Sequence, residues 1–233
     1  MIPCHNEEKG VGKVIAKIPT KRLNALGYKV EVLVVNSASK DRTVEVAQKA
    51  GARVVNAPIG KGAAIQTGIK HISPGTDIVV MLDGDDTYDP KEMLRMIEPL
   101  DTGFCEVVIG SRLAGKISQG SMTSFNRAGN WFFTFLVRNW YHENVTDVCT
   151  GYFAWKGSVL QNLGKYLESN GFSIEMEMIT KMARMNMDIY SVPISYKKRA
   201  GDSNLKPLGD GKKILHAWCR NLYWKPYARH KGG

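Results

Sequence analysis

Four aspartates, Asp83, Asp85, Asp86 and Asp89, fall within seven residues of the stretch MLDGDDTYDP, directly behind the apolar run Ile78-Val79-Val80-Met81-Leu82. Crowding like charges raises the free energy of each ionised carboxylate unless a positive partner neutralises them, and a divalent cation with hard oxygen ligands does this best. Asp83 and Asp85, one residue apart at the end of a buried strand, sit where ligands bind in open parallel sheets. Asp89 reads differently, because Asp89-Pro90-Lys91-Glu92 has the pattern of an N-cap, a first-turn proline and a capping-box acid. It is expected to cap a helix running toward Leu100 and to take no part in chemistry.

Carboxylates at a strand end need a sheet to hold them. Runs rich in β-branched residues at 30–35, 52–56, 77–82 and 106–110 alternate with helical patterns at 9–18, 41–50, 62–72 and 90–100. That order is the order of βαβ units, and it predicts an α/β fold with a mostly parallel twisted sheet flanked by helices. MIPCHNEE reads as the end of a strand followed by a polar loop, with no apolar residues before it. The first central strand is therefore expected to be missing or truncated, or its slot to be filled by another segment. A strand at 189–196 carries Pro193, which predicts a sheet edge. Residues 172–187 are methionine-rich, with Met176, Ile179, Met182 and Ala183 on one helical face, the pattern of a core helix.

With 233 residues and an ordinary globular composition, the chain can bury a core as one domain or slightly more, and disorder is excluded. Its net charge of +10 points to anionic partners: nucleic acid, lipid headgroups or phosphorylated substrates. Four cysteines, far apart and without a C-x-x-C, suggest reduced thiols rather than zinc or disulfides. There is no signal-peptide pattern and no apolar run near the roughly 18 residues needed to span a bilayer. Residues 121–141 interleave Trp and Phe with basic residues, which fits either an amphipathic helix in a membrane interface or a core helix with surface arginines. Residues 214–230 mix Trp218, Tyr223, Trp224 and Tyr227 with Lys and Arg, the composition of an interfacial anchor.

Five stretches in order, IPCHNEE, VVNSASKDRT, GKGAA, LDGDDTYDP, and DVCTGYFAWK with VPISYKKRAGDSNL, resemble the family 2 glycosyltransferases of the polyprenyl-phosphate type, such as dolichol-phosphate mannose and glucose synthases. The likeness spans residues 2–212. It implies a GT-A fold with a nucleotide-sugar half over 1–115, an acceptor half over 116–206 and a basic, aromatic, amphipathic helical segment over 207–233. It also implies inverting transfer from a nucleotide-diphosphate sugar, UDP-sugar favoured and GDP-mannose the alternative, to dolichyl or polyprenyl phosphate. Mg²⁺ or Mn²⁺ is the implied cofactor. The implied setting is peripheral, on the anionic cytoplasmic face of a membrane, with no nucleic acid among the partners.

Position by position, the resemblance makes Asp83 and Asp85 the metal ligands, and with Arg112 and Arg199 the catalytic set. Pro3, Asn6, Glu7, Asn36, Ser39, Asp41, Lys61 and Gly84 join the two aspartates around the donor, although Asn36 and Ser37 stand where two aspartates are usual. Exposed N–H groups at the start of the helix behind Gly60-Lys61-Gly62 are expected to face the diphosphate. Arg112, Arg127, Arg199, Ser203 and Lys206 are the acceptor-phosphate candidates, with Lys206 replacing a lysine usual at Asn204. Asp86, Asp147, Glu175 and Glu177 are supporting acids that orient sugar hydroxyls or arginines. Two other readings stay open: a soluble glycosyltransferase making a phosphorylated small glycoside, and a non-catalytic membrane-surface protein with a degenerate donor site.

Overall fold

The computed structural model describes residues 1–199 and 206–226. Strands β1 (Ile2–Cys4), β2 (Leu33–Ser37) and β3 (Arg53–Ala57) form a parallel sheet in that order, connected by α1 (Val11–Lys17), α2 (Thr20–Ala25) and α3 (Thr43–Lys49). After α4 (Lys61–Lys70) comes a second sheet in the order β4 (Ile78–Met81), β6 (Phe153–Lys156), β5 (Val107–Ile117), β7 (Ile189–Tyr196). β6 runs antiparallel to both neighbours, while β7 pairs with β5 in parallel. The sheets meet where the Met1 nitrogen donates to the Val80 carbonyl at 2.8 Å and the Leu82 N–H donates to the Met1 carbonyl at 3.3 Å. The slot expected to lack a strand is thus filled by β1 itself. It is three residues long, paired with β2 on one side and joined to β4 through Met1 on the other.

Successive strand residues point to opposite faces, and helices cover both faces of the central strands, while β3 and β7 are only partly buried. Leu33, Val35, Val107 and Ile109 pack toward α4, α6 (Ser124–Tyr141), α7 (Gly157–Gly164), α8 (Ile174–Arg184) and α9 (Pro207–Asn221). Val34, Val108 and Ala154 pack toward α1, α2, α3 and α5 (Met93–Asp101). The methionine-rich helix is buried along its length, from Ile174 to Ala183. β7 lies at the sheet edge, as Pro193 requires, and β5 carries a bulge against it between Ser111 and Lys116.

Asp89 accepts from the Lys91 N–H at 3.1 Å, opening a 3-10 turn at Pro90–Glu92 that leads into α5. The expected capping box does not close, because the Glu92 carboxylate instead takes the Ser195 N–H and hydroxyl at 2.8 and 3.1 Å. Glu92 thereby fastens β7 to the start of the helix. Removing the cap oxygen in Asp89→Ala is expected to cost about 1 kcal/mol of stability and to leave turnover unchanged. Denaturant melts beside steady-state assays check this; a loss of turnover at unchanged stability would move Asp89 into the active site.

On α6, Asn130, Thr134, Leu136, Val137 and Tyr141 face inward, while Phe125, Trp131, Phe132, Phe135 and Trp140 are exposed. Trp131 and Phe135 stack at 5.8 Å, whereas Phe133 packs against the core. In the C-terminal segment, Trp218 is buried with its ring edge-on to Trp140, and Tyr223 is exposed. Trp218 is therefore a core residue rather than an interfacial one, and Tyr227 lies outside the described residues. No helix among the described residues is long and apolar enough to cross a membrane. All four cysteines are free thiols: Cys4 and Cys105 are buried, Cys149 is half-buried and Cys219 is exposed.

Candidate active site

The C-terminal ends of β1, β2 and β4 open into one cavity of about 300 Å³. Asp83 and Asp85 lie in its wall. Each carboxylate is matched by a cation: Lys61 Nζ sits 2.8 Å from Asp83 Oδ1, and Arg199 Nη2 sits 2.8 Å from Asp85 Oδ2. Asp85 Oδ1 accepts the N–H and hydroxyl of Thr87 at 3.0 and 2.6 Å, so this carboxylate is fixed by its own loop. Burial, and then the charge of Asp83, push the Asp85 carboxyl up, with Arg199 opposing. Burial would lower the Lys61 ammonium, but Asp83 and Glu175, the latter 2.7 Å away, override it and push it up.

Glycines make room for this arrangement. A side-chain carbon at Gly84 would lie 2.5 Å from Cys4 Sγ, and one at Gly151 would lie 2.4 Å from Asp83 Oδ2. The buried Tyr88 hydroxyl accepts the Gly151 N–H at 2.7 Å. Tyr88 also bridges to Tyr196, and the Lys197 N–H donates to the Thr87 carbonyl at 2.8 Å. The aspartate loop is thus zipped to the end of β7, which is what brings Arg199 to Asp85.

Of the residues expected around the donor, Pro3, Glu7, Lys61, Asp83, Gly84 and Asp85 line the cavity. Arg199, expected on the acceptor side, lines it as well. Asn36 does not: its amide donates to Asn56 Oδ1 at 2.9 Å and accepts the Ser39 N–H at 3.1 Å. Ser39 Oγ takes the Asn6 N–H, Asn6 Oδ1 takes the Lys40 N–H, and Asp41 takes the N–H groups of Glu8 and Thr43. These four side chains hold loops together. The start of α4 is also not open to a diphosphate, because the Asn170 carbonyl accepts from Gly62 and Ala63 at 2.9 and 3.2 Å.

The supporting acids separate. Asp86 turns outward to Lys17, with contacts of 2.6 and 2.7 Å, and does not reach the cavity. Glu177 joins Lys181 and Arg220 on the far side of α8, while Glu175 reaches Lys61 and leaves its buried Oε2 without a hydrogen-bond partner. Asp147 accepts from the Arg112 backbone N–H, Nε and Nη2 at 2.8 to 2.9 Å, and the Asn130 amide adds a fourth donor. Arg112 is buried and stacked on Tyr196, so its fork is spent on Asp147 rather than held free for a phosphate. Arg127 and Lys206 are exposed, and Ser203 lies outside the described residues.

Cys4, His5, Ser37, Ile59 and Phe172 also line the cavity and were not anticipated. His5 Nδ1 lies 2.5 Å from the Ser37 carbonyl, and its place inside IPCHNEE was the available signal. Phe172 had none, since it arrives from a loop remote in sequence from the motifs.

Asp83 and Asp85 are hard carboxylates of the kind a divalent cation takes, with their repulsion felt at Asp85 and Lys61 and Arg199 opposite them, but among the described residues no group of three or more His, Cys, Asp or Glu side chains is gathered to hold one. Glu7 feels the same field. Burial, and then Asp85, push its carboxyl up from 4.5 to about 8, with Arg199 opposing from 3.8 Å. The fold therefore prefers protonated Glu7, a contribution complete below the ordinary carboxylate range and lost as pH rises through about 8. Without added metal, the melting temperature is expected to fall between pH 5 and pH 8.5, and Glu7→Gln to flatten that slope. Parallel slopes for the two proteins would remove Glu7 as the cause.

Comparisons with known proteins agree with this geometry. Residues 1–164 match glycosyl transferase family 2. The chain is 34% identical over 219 residues to the glycosyltransferase AglJ of Haloferax volcanii, covering 92% of this chain and 68% of that one. It is 33% identical to a dolichyl-phosphate hexose transferase of the same organism, covering 90% and 87%. An undecaprenyl-phosphate mannosyltransferase of Micrococcus luteus is 27% identical, covering 97% and 95%. The fold is shared with glucosyl-3-phosphoglycerate synthase from Mycobacterium tuberculosis, solved with Mn²⁺, UDP and glucosyl-3-phosphoglycerate, at a TM-score of 0.72, 20% identity and coverage of 97% and 80%. With the paired aspartates at the strand ends of a GT-A-like α/β fold, these matches identify the chain as a glycosyltransferase belonging to glycosyl transferase family 2.

Proposed function

We propose that the chain transfers a hexose, with inversion, from a nucleotide-diphosphate sugar to a polyprenyl phosphate such as dolichyl phosphate, and that it depends on Mg²⁺ or Mn²⁺. A UDP-sugar is the favoured donor, with GDP-mannose the alternative. The observation that carries the reading is the pair Asp83 and Asp85 in the cavity wall, each matched by a cation that a donor diphosphate would also attract. Asp83 and Asp85 would hold the metal, which when bound supplies positive charge to the departing diphosphate. Lys61 adds a fixed ammonium beside them, and the free Oε2 of Glu175 is suited to accept from a sugar hydroxyl. The acceptor phosphate is already ionised near neutral pH, so it needs no general base; Arg199 holds it in line with the anomeric carbon. Arg112 and Asp147 act behind this as a brace, and Arg127 and Lys206 add exposed positive charge on the acceptor half.

The lipid acceptor is favoured over a soluble one by the names of the two polyprenyl-phosphate relatives and by the exposed rings of α6. A net charge of +10 suits peripheral attachment to the anionic cytoplasmic face of a membrane. The test is a screen of UDP- and GDP-sugars with dolichyl or undecaprenyl phosphate, Mg²⁺ or Mn²⁺, and detergent, reading the lipid-linked product. Transfer to a small soluble phosphate alone would favour the phosphorylated-glycoside reading. Failure to bind any nucleotide-sugar with metal would remove catalysis altogether.

Attachment has its own expected result. Replacing Trp131, Phe132 and Phe135 with serine should cut vesicle binding about tenfold or more and reduce use of a long-chain acceptor more than use of a short one. Wild-type binding should weaken with salt but retain an apolar component. Vesicle sedimentation across a salt series, beside assays on both acceptors, measures this. Equal losses on both acceptors with a lower melting temperature would assign these rings to packing.

A further inference from the structure

Residues 166–172, between α7 and α8, are suspended between the cavity and the C-terminal helix. On the cavity side, the Asn170 carbonyl caps Gly62 and Ala63 at 2.9 and 3.2 Å, the Ser169 carbonyl accepts from Gln66 Nε2 at 2.9 Å, and Phe172 lines the wall. On the other side, the Glu177 carboxylate accepts the Ser169 N–H at 2.7 Å and the Glu168 N–H at 3.2 Å, and Lys181 donates to the Tyr166 carbonyl. Arg220 on α9 completes the clamp, with Nη2 3.0 Å from Glu177 Oε1 and Nη1 3.4 Å from Glu168 Oε2. Trp224 closes it from below, 5.3 Å from the Tyr166 ring and 5.1 Å from Lys181 Nζ. Glu177 and Lys181 are fully buried, so neither can lose its partners cheaply.

We infer that Glu177 and Arg220 are positioning residues for the donor pocket: they hold the 166–172 backbone so that its carbonyls fix the start of α4, and with it Lys61, while Phe172 stays in the wall. The route is continuous, from Arg220 through Glu177 and Ser169 to Asn170, Gly62 and Lys61. A change in how α9 seats on α8 is then felt at the donor diphosphate. The inference rests on the donor reading of the cavity for its functional half, but the mechanical half stands on hydrogen bonds alone.

Arg220 is the residue to vary, because it is partly exposed and its loss leaves the Glu177–Lys181 pair intact. Hydrogen exchange on the free protein should show the Glu168 and Ser169 amides exchanging about tenfold faster in Arg220→Ala, with partial recovery in Arg220→Lys and no change in the exposed control Lys212→Ala. In the transferase assay, Arg220→Ala should raise the donor KM about fivefold while kcat and the acceptor KM stay within about twofold. Unchanged exchange overturns the coupling, as does an equal loss in kcat and both KM values accompanied by a lower melting temperature. Faster exchange in a protein that uses no donor would refute the proposed reaction while supporting the mechanical link.

Discussion

Asp83→Asn and Asp85→Asn are each expected to lower turnover by at least about a hundredfold, the scale of losing one preorganised transition-state stabiliser. The substitutions conserve size, so the change is one of charge at the cavity wall. They differ in what else they disturb. At position 83 the amide leaves Lys61 with Glu175 alone as a carboxylate partner. At position 85 it removes the charge facing Arg199 and weakens the acceptor of the Thr87 N–H and hydroxyl, so some loss of stability accompanies the loss of rate. Steady-state kinetics across a metal titration, with melting curves alongside, separate these contributions. Near-wild-type turnover in both variants at saturating metal would mean that these carboxylates do not hold the metal.

The second large effect is on stability. Asp147→Ala is expected to cost about 3–5 kcal/mol, because it leaves the buried Arg112 guanidinium without its carboxylate and also strips an acceptor from Asn130. Calorimetry or urea melts measure it. Replacing both partners together, Asp147→Ala with Arg112→Met, should recover part of the loss, since no uncompensated charge remains. A single variant within about 1 kcal/mol of wild type would mean that water reaches the guanidinium, and Arg112 would return as a candidate to bind phosphate.

Much of the frame could be read from the chain because strands buried on both faces leave β-branched runs, as at Val34-Val35 and Val107-Val108, and because Asp83 and Asp85 follow such a run directly. What could not be read depends on partners remote in sequence. Strand β6 is four residues long and owes its existence to β4 and β5 on either side. The start of α4 looked open until the Asn170 carbonyl arrived from beyond α7. Asn36 looked available to the donor, but its hydrogen-bonding groups are engaged by Asn56 and Ser39. Glu175 and Glu177 carry the same side chain two positions apart, yet a helix sends them different ways, one to Lys61 and the other to Arg220. Strand β1, short in sequence at three residues, is placed by pairing with β2 and by Met1 bonding to β4, partners that its own apolar content does not announce.

The uneven burial of the four thiols gives the protein a built-in place for a reporter. Burial pushes the Cys4 and Cys105 thiols up and the Cys149 thiol up to about 12, so none of these offers a ready thiolate near neutral pH. Cys219 is exposed on α9, between Trp218 in the core and Arg220 in the clamp. A maleimide dye used in limiting amount should therefore label one position without any engineered mutation. Its emission would register the seating of that helix on its neighbour.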